Sequence, residues 1–141
     1  MQGLRARLWY SAALIVALGL GACSDPTSPE TKIAGSYEVV EWMIVSSTTT
    51  HDLIAGGGHL NLVMAPDGST SGEFFIPASV SPEPSEQRVS MAGSWTQVGD
   101  VVNFEMPGDT YVRFVDWSVS SRELFAEFVN GGFTVTTRLR R

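Results

Sequence analysis

The residues able to do chemistry are few, and their spacing narrows the options further. His51 and His59 are the only histidines. With Asp52 beside the first and Gly56-Gly57-Gly58 between them, they offer the donor types of a two-histidine, one-carboxylate metal site. The simpler reading is two polar residues standing in solvent on either side of a loop, and no metal is expected. Serines are plentiful, yet neither histidine has an orienting carboxylate at a spacing that would build a nucleophilic triad. The carboxylate pairs Glu38/Glu41 and Asp109/Asp116 read as solvated faces, without the surroundings of a glycosidase acid and base. Gly56-Gly57-Gly58 is followed by neither a lysine nor a helix start, so it is no phosphate loop. No catalytic residue, metal or cofactor is expected, and the chain reads as a non-enzyme.

The elements around these residues divide sharply at the sole cysteine, Cys23. Arg5 and Arg7 precede an almost wholly apolar run, Leu8 to Leu20, which ends in Gly21-Ala22-Cys23. An apolar run of about 13 residues is short against the ~20 that span a bilayer as a helix. The series Leu20-Gly21-Ala22-Cys23 (aliphatic, small, small, Cys) resembles the lipobox of bacterial lipoproteins, and Met1 to Ala22 resembles their signal peptide. An ordinary secretory signal is the other reading of the same stretch. The resemblance implies that Cys23 becomes the first mature residue and carries diacylglycerol on sulfur and an acyl chain on its amine, enough chains for stable anchoring. It places the protein in the bacterial cell envelope. Ser24 after the cysteine resembles the pattern sorted to the periplasmic face of the outer membrane, although Asp25 at the next position complicates that sorting.

Removing residues 1–22 leaves enough chain for one domain with a modest core. All fifteen acidic residues remain but only seven of the nine basic ones, a net charge of about −8. Such a surface opposes nucleic acid, so none is expected as a partner. With Cys23 acylated no thiol is left, and disulfides and thiolate metal sites are excluded. Residues 23–32, with SDPTSPET after the cysteine, form a linker without an apolar face.

Residues 33–141 read as one all-β domain. Short runs rich in Val, Phe, Trp, Tyr and Thr are punctuated by Gly, Pro, Asn and Asp. Strands are expected at Ser36–Val45, His59–Met64, Thr70–Ile76, Arg88–Val98, Val101–Met106, Tyr111–Val119, Glu123–Val129 and Phe133–Arg140. The 46–58 segment reads as a polar, flexible connection. Pro77, Pro82 and Pro84 make 77–86 an excursion or an edge cover. Eight strands joined by hairpin-type turns suit a small eight-stranded antiparallel up-and-down barrel, which removes exposed edges. A two-sheet sandwich is the runner-up.

Two segments carry a resemblance to the lipocalin-like domains of small exported lipoproteins. One is Gly58-His59-Leu60-Asn61-Leu62 leading into Asp67-Gly68-Ser69-Thr70. The other is Gly93-Ser94-Trp95-Thr96 followed by Gly99-Asp100-Val101-Val102-Asn103-Phe104. The resemblance implies a calycin-type barrel whose interior binds a small apolar molecule. It departs at the first strand, where Gly35-Ser36-Tyr37 stands in place of the Gly-x-Trp of larger lipocalins.

The aromatics then become the residues of interest. Trp42, Leu60, Leu62, Phe74, Trp95, Phe104 and Trp117 either line a ligand cavity or fill the barrel as a packed core, and strands of 6 to 10 residues favour filling. Arg113 and Glu127 interrupt apolar strands and would meet a ligand head group if turned inward. The expected activity is non-catalytic: a membrane-anchored carrier of a small apolar ligand. The alternative is a protein–protein module, such as a hydrolase inhibitor or envelope-assembly partner, contacting its partner through the 46–58 or 77–86 loop.

Overall fold

The computed structural model describes residues 31–141. The signal-like segment, Cys23 and residues 24–30 of the linker lie outside the described residues. Ten strands follow a 3-10 turn at Thr31–Ile33: β1 (Gly35–Ser46), β2 (Thr50–Asp52), β3 (His59–Met64), β4 (Ser69–Ile76) and β5 (Gln87–Ser90), then β6 (Gly93–Val98), β7 (Val101–Glu105), β8 (Trp117–Val119), β9 (Glu123–Asn130) and β10 (Phe133–Arg140). All pairings are antiparallel. Eight strands close a ring in the order β1-β3-β4-β6-β7-β8-β9-β10, with β10 returning to β1 from Glu38↔Arg140 to Ser46↔Phe133. The fold is therefore the eight-stranded up-and-down barrel, not the sandwich; β2 and β5 lie outside the ring.

Alternation decides which side chains enter. In β3, Leu60, Leu62 and Met64 are buried while His59, Asn61 and Val63 face out. β1 obeys the same rule only in two halves. Val40 is an extra residue between the pairs Val39↔Leu139 and Glu41↔Arg138. This β-bulge switches the inward set from Tyr37 and Val39 to Trp42 and Ile44, and leaves Val40 exposed. β1 can then bend, pairing β3 with its first residues and β2 with Met43 to Val45.

Three segments differ from the sequence expectation. Tyr111–Val119 is not one strand but a 3-10 turn at Tyr111–Arg113 followed by the short β8. Val112 and Trp117 are both buried but five apart, so an unbroken strand would point them to opposite faces. The turn brings both inside, where Trp117 Nε1 donates to the Val112 carbonyl at 3.0 Å. The strand expected at Arg88–Val98 is interrupted at Met91-Ala92. Its halves keep one register on β4 (Glu73↔Ser90 and Thr70↔Gly93), and the break lies opposite Gly72, whose φ is +133°. The 46–58 connection contains β2, turned back on β1 by Ser46, whose N–H donates to the Thr49 carbonyl at 2.8 Å.

One end of the barrel is closed by the chain's own entry. Ile33 is buried there, and Tyr37 donates its hydroxyl to the Ile33 carbonyl at 2.8 Å. Arg141 Nη1 donates to the carbonyls of Lys32 and Ala34 at 2.8 and 2.9 Å, tying the last described residue to the first turn. This turn starts within the stretch read as linker.

A charged stripe straddles the seam. Arg138 on β10 reaches Glu41 on β1 at 3.0 Å and Glu123 on β9 at 3.3 Å, and lies over the Phe125 ring. Arg140 meets Glu123 at 2.6 Å. The Arg140 hydrogen bond, then the Arg138 one, holds the Glu123 carboxyl below the ordinary carboxylate range despite some desolvation. A lowered folded-state pKa contributes stability above the unfolded value, ~4.3, that is lost as pH falls through the folded one. The urea midpoint of Glu123→Gln should therefore fall short of the wild type at pH 7 and approach it at pH 3. An equal gap at both pH values would show that the carboxylate charge is not what acts.

Candidate functional site

The end opposite Ile33 is the barrel's mouth, assembled from the β1–β2 hairpin, the 77–86 loop, the 107–114 segment and the Asn130–Phe133 turn. A cleft of about 300 Å³ opens there. Its buried end is formed by Leu53, Phe74, Ile76 and Val135 with half-buried Ile44. Aromatic rings make its wall: Tyr111, Phe114, Phe128 and Phe133 join Phe74. Tyr111 and Phe128 stack with centroids 5.6 Å apart, and Phe74 meets Tyr111 edge-on at 6.0 Å.

The sequence dictates this wall through two devices. The Asn130-Gly131-Gly132-Phe133 hairpin uses positive φ at both glycines, which sets Phe128 and Phe133 on the inner face of neighbouring strands. The 3-10 turn at 111–113 swings Tyr111 across the opening, where its hydroxyl lies 2.6 Å from Thr137 Oγ1. Burial pushes the Tyr111 hydroxyl well above its ordinary pKa, partly offset by the Thr137 hydrogen bond, so it stays protonated.

Polar groups edge the cleft: Glu83, Gln87, Asp109, Thr110 and Asn130. Asp109 pairs with Arg113 at 2.9 Å, and Gln87 donates to Ser81 Oγ at 3.2 Å. Thr110 precedes the 3-10 turn but caps nothing, and its buried Oγ1 has no hydrogen-bond partner among the described residues. Buried hydroxyls are rarely left so.

Of the seven positions singled out in the sequence, all are buried, and only Phe74 reaches the mouth cleft. Trp42, Leu60, Leu62, Trp95, Phe104 and Trp117 belong to the packed core, with Trp42 edge-on to Phe74 and Phe104 edge-on to Trp117. Trp95 Nε1 donates to the Ala65 carbonyl at 2.9 Å, whereas Trp42 Nε1 lies near the Tyr111 hydroxyl without closing a hydrogen bond. Cys23 lies outside the described residues.

The other chemistry-bearing residues are dispersed. His51 and Asp52 are exposed on β2, while His59 Nε2 lies 2.7 Å from Glu73, which also takes Arg88 at 2.7 Å. No group of three metal-ligating side chains gathers among the described residues. Asp116 accepts from Asn103 at 2.6 Å, whereas Asp109 pairs with Arg113, so the two carboxylates have different partners. Glu127 faces solvent; Arg113 is half-buried beside the mouth rather than inside the barrel.

Tyr111 and Thr110 escape sequence reading because an unbroken strand over 111–119 hides the turn that presents them, and Asp109 and Glu83 read there only as a solvated face and part of a proline-rich loop. The spacing of Asp109 and Arg113, four apart after Pro107-Gly108, is the one local hint.

Fold and cleft together define a closed antiparallel β-barrel, plugged along most of its length and recessed at one end. Comparison with protein-family models, curated proteins and solved structures gives no match.

Proposed function

We propose that the chain is a lipid-anchored lipoprotein of the bacterial envelope whose barrel binds a small apolar ligand without catalysis, in the manner of a lipocalin-like carrier or sensor. The observation that carries this reading is the aromatic-walled cleft at the mouth. Its volume equals the lower end of small-molecule sites, and it combines an apolar interior with a few polar groups at the edge, as such sites do. At ~30 Å³ per atom it has room for about ten non-hydrogen atoms. On this reading the ligand occupies the end of the barrel, against Phe74, Tyr111, Phe128 and Phe133, with the tryptophans as the support beneath.

Gentle purification of residues 31–141, which include every strand of the ring, followed by native mass spectrometry is the direct test. An adduct lost on denaturation is the expected result, and its mass leads to the ligand. A clean apo mass from every preparation would instead favour a protein partner at the mouth loops, since the barrel centre is filled.

The anchor rests on Leu20-Gly21-Ala22-Cys23. Cys23→Ala is expected to abolish incorporation of labelled fatty acid and to release the chain from the membrane fraction, or to leave it as an uncleaved precursor. Unchanged fatty-acid labelling of that variant would refute lipidation at Cys23.

A further inference from the structure

The geometry points to a ligand with a charge: we infer that the mouth cleft takes a small aromatic or alkyl ammonium compound, its cation held at the aromatic wall and the acidic edge. This rests on the small-ligand reading of the cleft and adds the chemical class.

Three observations carry it. First, the wall presents several aromatic rings at one opening, including the stacked pair Tyr111 and Phe128 with Phe133 edge-on to Phe128 at 6.4 Å. Tyr111 and Phe128 cover each other's inner faces and Phe114 already carries the Arg113 guanidinium at 4.5 Å, so an organic ammonium would use the remaining ring faces, whose negative potential attracts a cation. Second, the charged residues lining the cleft are both acidic, Glu83 and Asp109. Arg113 answers Asp109 from outside the lining, which leaves Glu83 as the lining charge with no ion-pair partner among the described residues. An anionic head group would meet that carboxylate with no lysine or arginine among the lining residues to offset it. Third, Thr110 lines the cleft and its enclosed Oγ1 has no partner among the described residues, so a small turn of this side chain toward an ammonium N–H would break no existing hydrogen bond. The surplus of acidic residues over the whole domain adds a longer-range pull on cations.

The test compares three soluble probes of nearly equal size on the full chain in phosphatidylcholine nanodiscs: phenethylammonium, phenethyl alcohol and 3-phenylpropionate. Affinities come from calorimetry, and amide shifts at residues 110–114 and 130–133 locate the site. Phenethylammonium should bind about tenfold more tightly than the alcohol, corresponding to one charge-assisted interaction. The propionate should bind most weakly. The double variant Glu83→Gln with Asp109→Asn should reduce the ammonium to the alcohol's affinity while leaving the alcohol unchanged. Raising the salt should mimic the variant in part. If the three probes bind the mouth equally, or the propionate binds best, the cation assignment is overturned while the small-ligand reading stands. If none shifts the mouth amides, both fall together.

Discussion

Trp117→Ala is expected to lower the stability of the barrel by about 4 kcal/mol and its melting temperature by more than ~15 °C. The indole is fully buried, contacts Phe104 edge-on and donates Nε1 to the Val112 carbonyl at 3.0 Å. Truncation leaves a cavity beneath the turn that presents Tyr111, and orphans a buried acceptor. Trp42→Phe supplies the contrast. That indole is equally buried but its Nε1 closes no hydrogen bond, so a phenyl ring in its place should cost only ~1 kcal/mol. Thermal denaturation followed by circular dichroism separates the two. A loss for Trp42→Phe as large as for Trp117→Ala could not come from the small change in ring volume, and would mean that the Trp42 N–H makes an interaction that matters.

Gly72→Ala is the second large effect, about 3 kcal/mol, and it acts through the backbone. At φ +133° an L side chain is strained, and the added Cβ would be driven into the Asn61 carbonyl on β3, which is main chain and has little room to yield. The kink at Gly72 also faces the break between β5 and β6, bridged by Met91 N–H to the Gly72 carbonyl at 3.0 Å and Thr70 Oγ1 to the Met91 carbonyl at 2.8 Å. Gly99→Ala is the control. That glycine also has positive φ (+63°) but open space around it, so it should lose only ~1 kcal/mol. Equal urea midpoints for the two variants would remove the close approach of β3 as the cause.

Strand content and ring closure were legible because local pattern determines them. The alternation of His59 to Met64 gave its inward face directly, and Asn130-Gly131-Gly132 marked the last hairpin. The inward identity of Trp42 is legible only by its size, because the bulge at Val40 shifts the parity of β1, and the bulge shows in the pairing with β10 rather than in the alternation of β1 itself. The 111–119 stretch misled for a related reason. Its composition favours a strand, but burial of both Val112 and Trp117 outweighs that propensity. The cleft is the least legible feature. Its lining comes from five stretches far apart in the chain, and whether space remains among large side chains depends on their summed volumes rather than on any one segment's periodicity.

The tie between Arg141 and the 31–34 backbone has an orientational consequence for the proposed lipoprotein. Both ends of the domain emerge on the plugged side, and the mouth lies a full barrel length away. Seven residues separate Cys23 from Thr31. A leash of that length spans at most about 28 Å. Anchored there, the barrel would stand base-down on the bilayer with its aperture turned to the aqueous compartment, so that cargo would reach it from solution instead of by lateral exchange with the lipid.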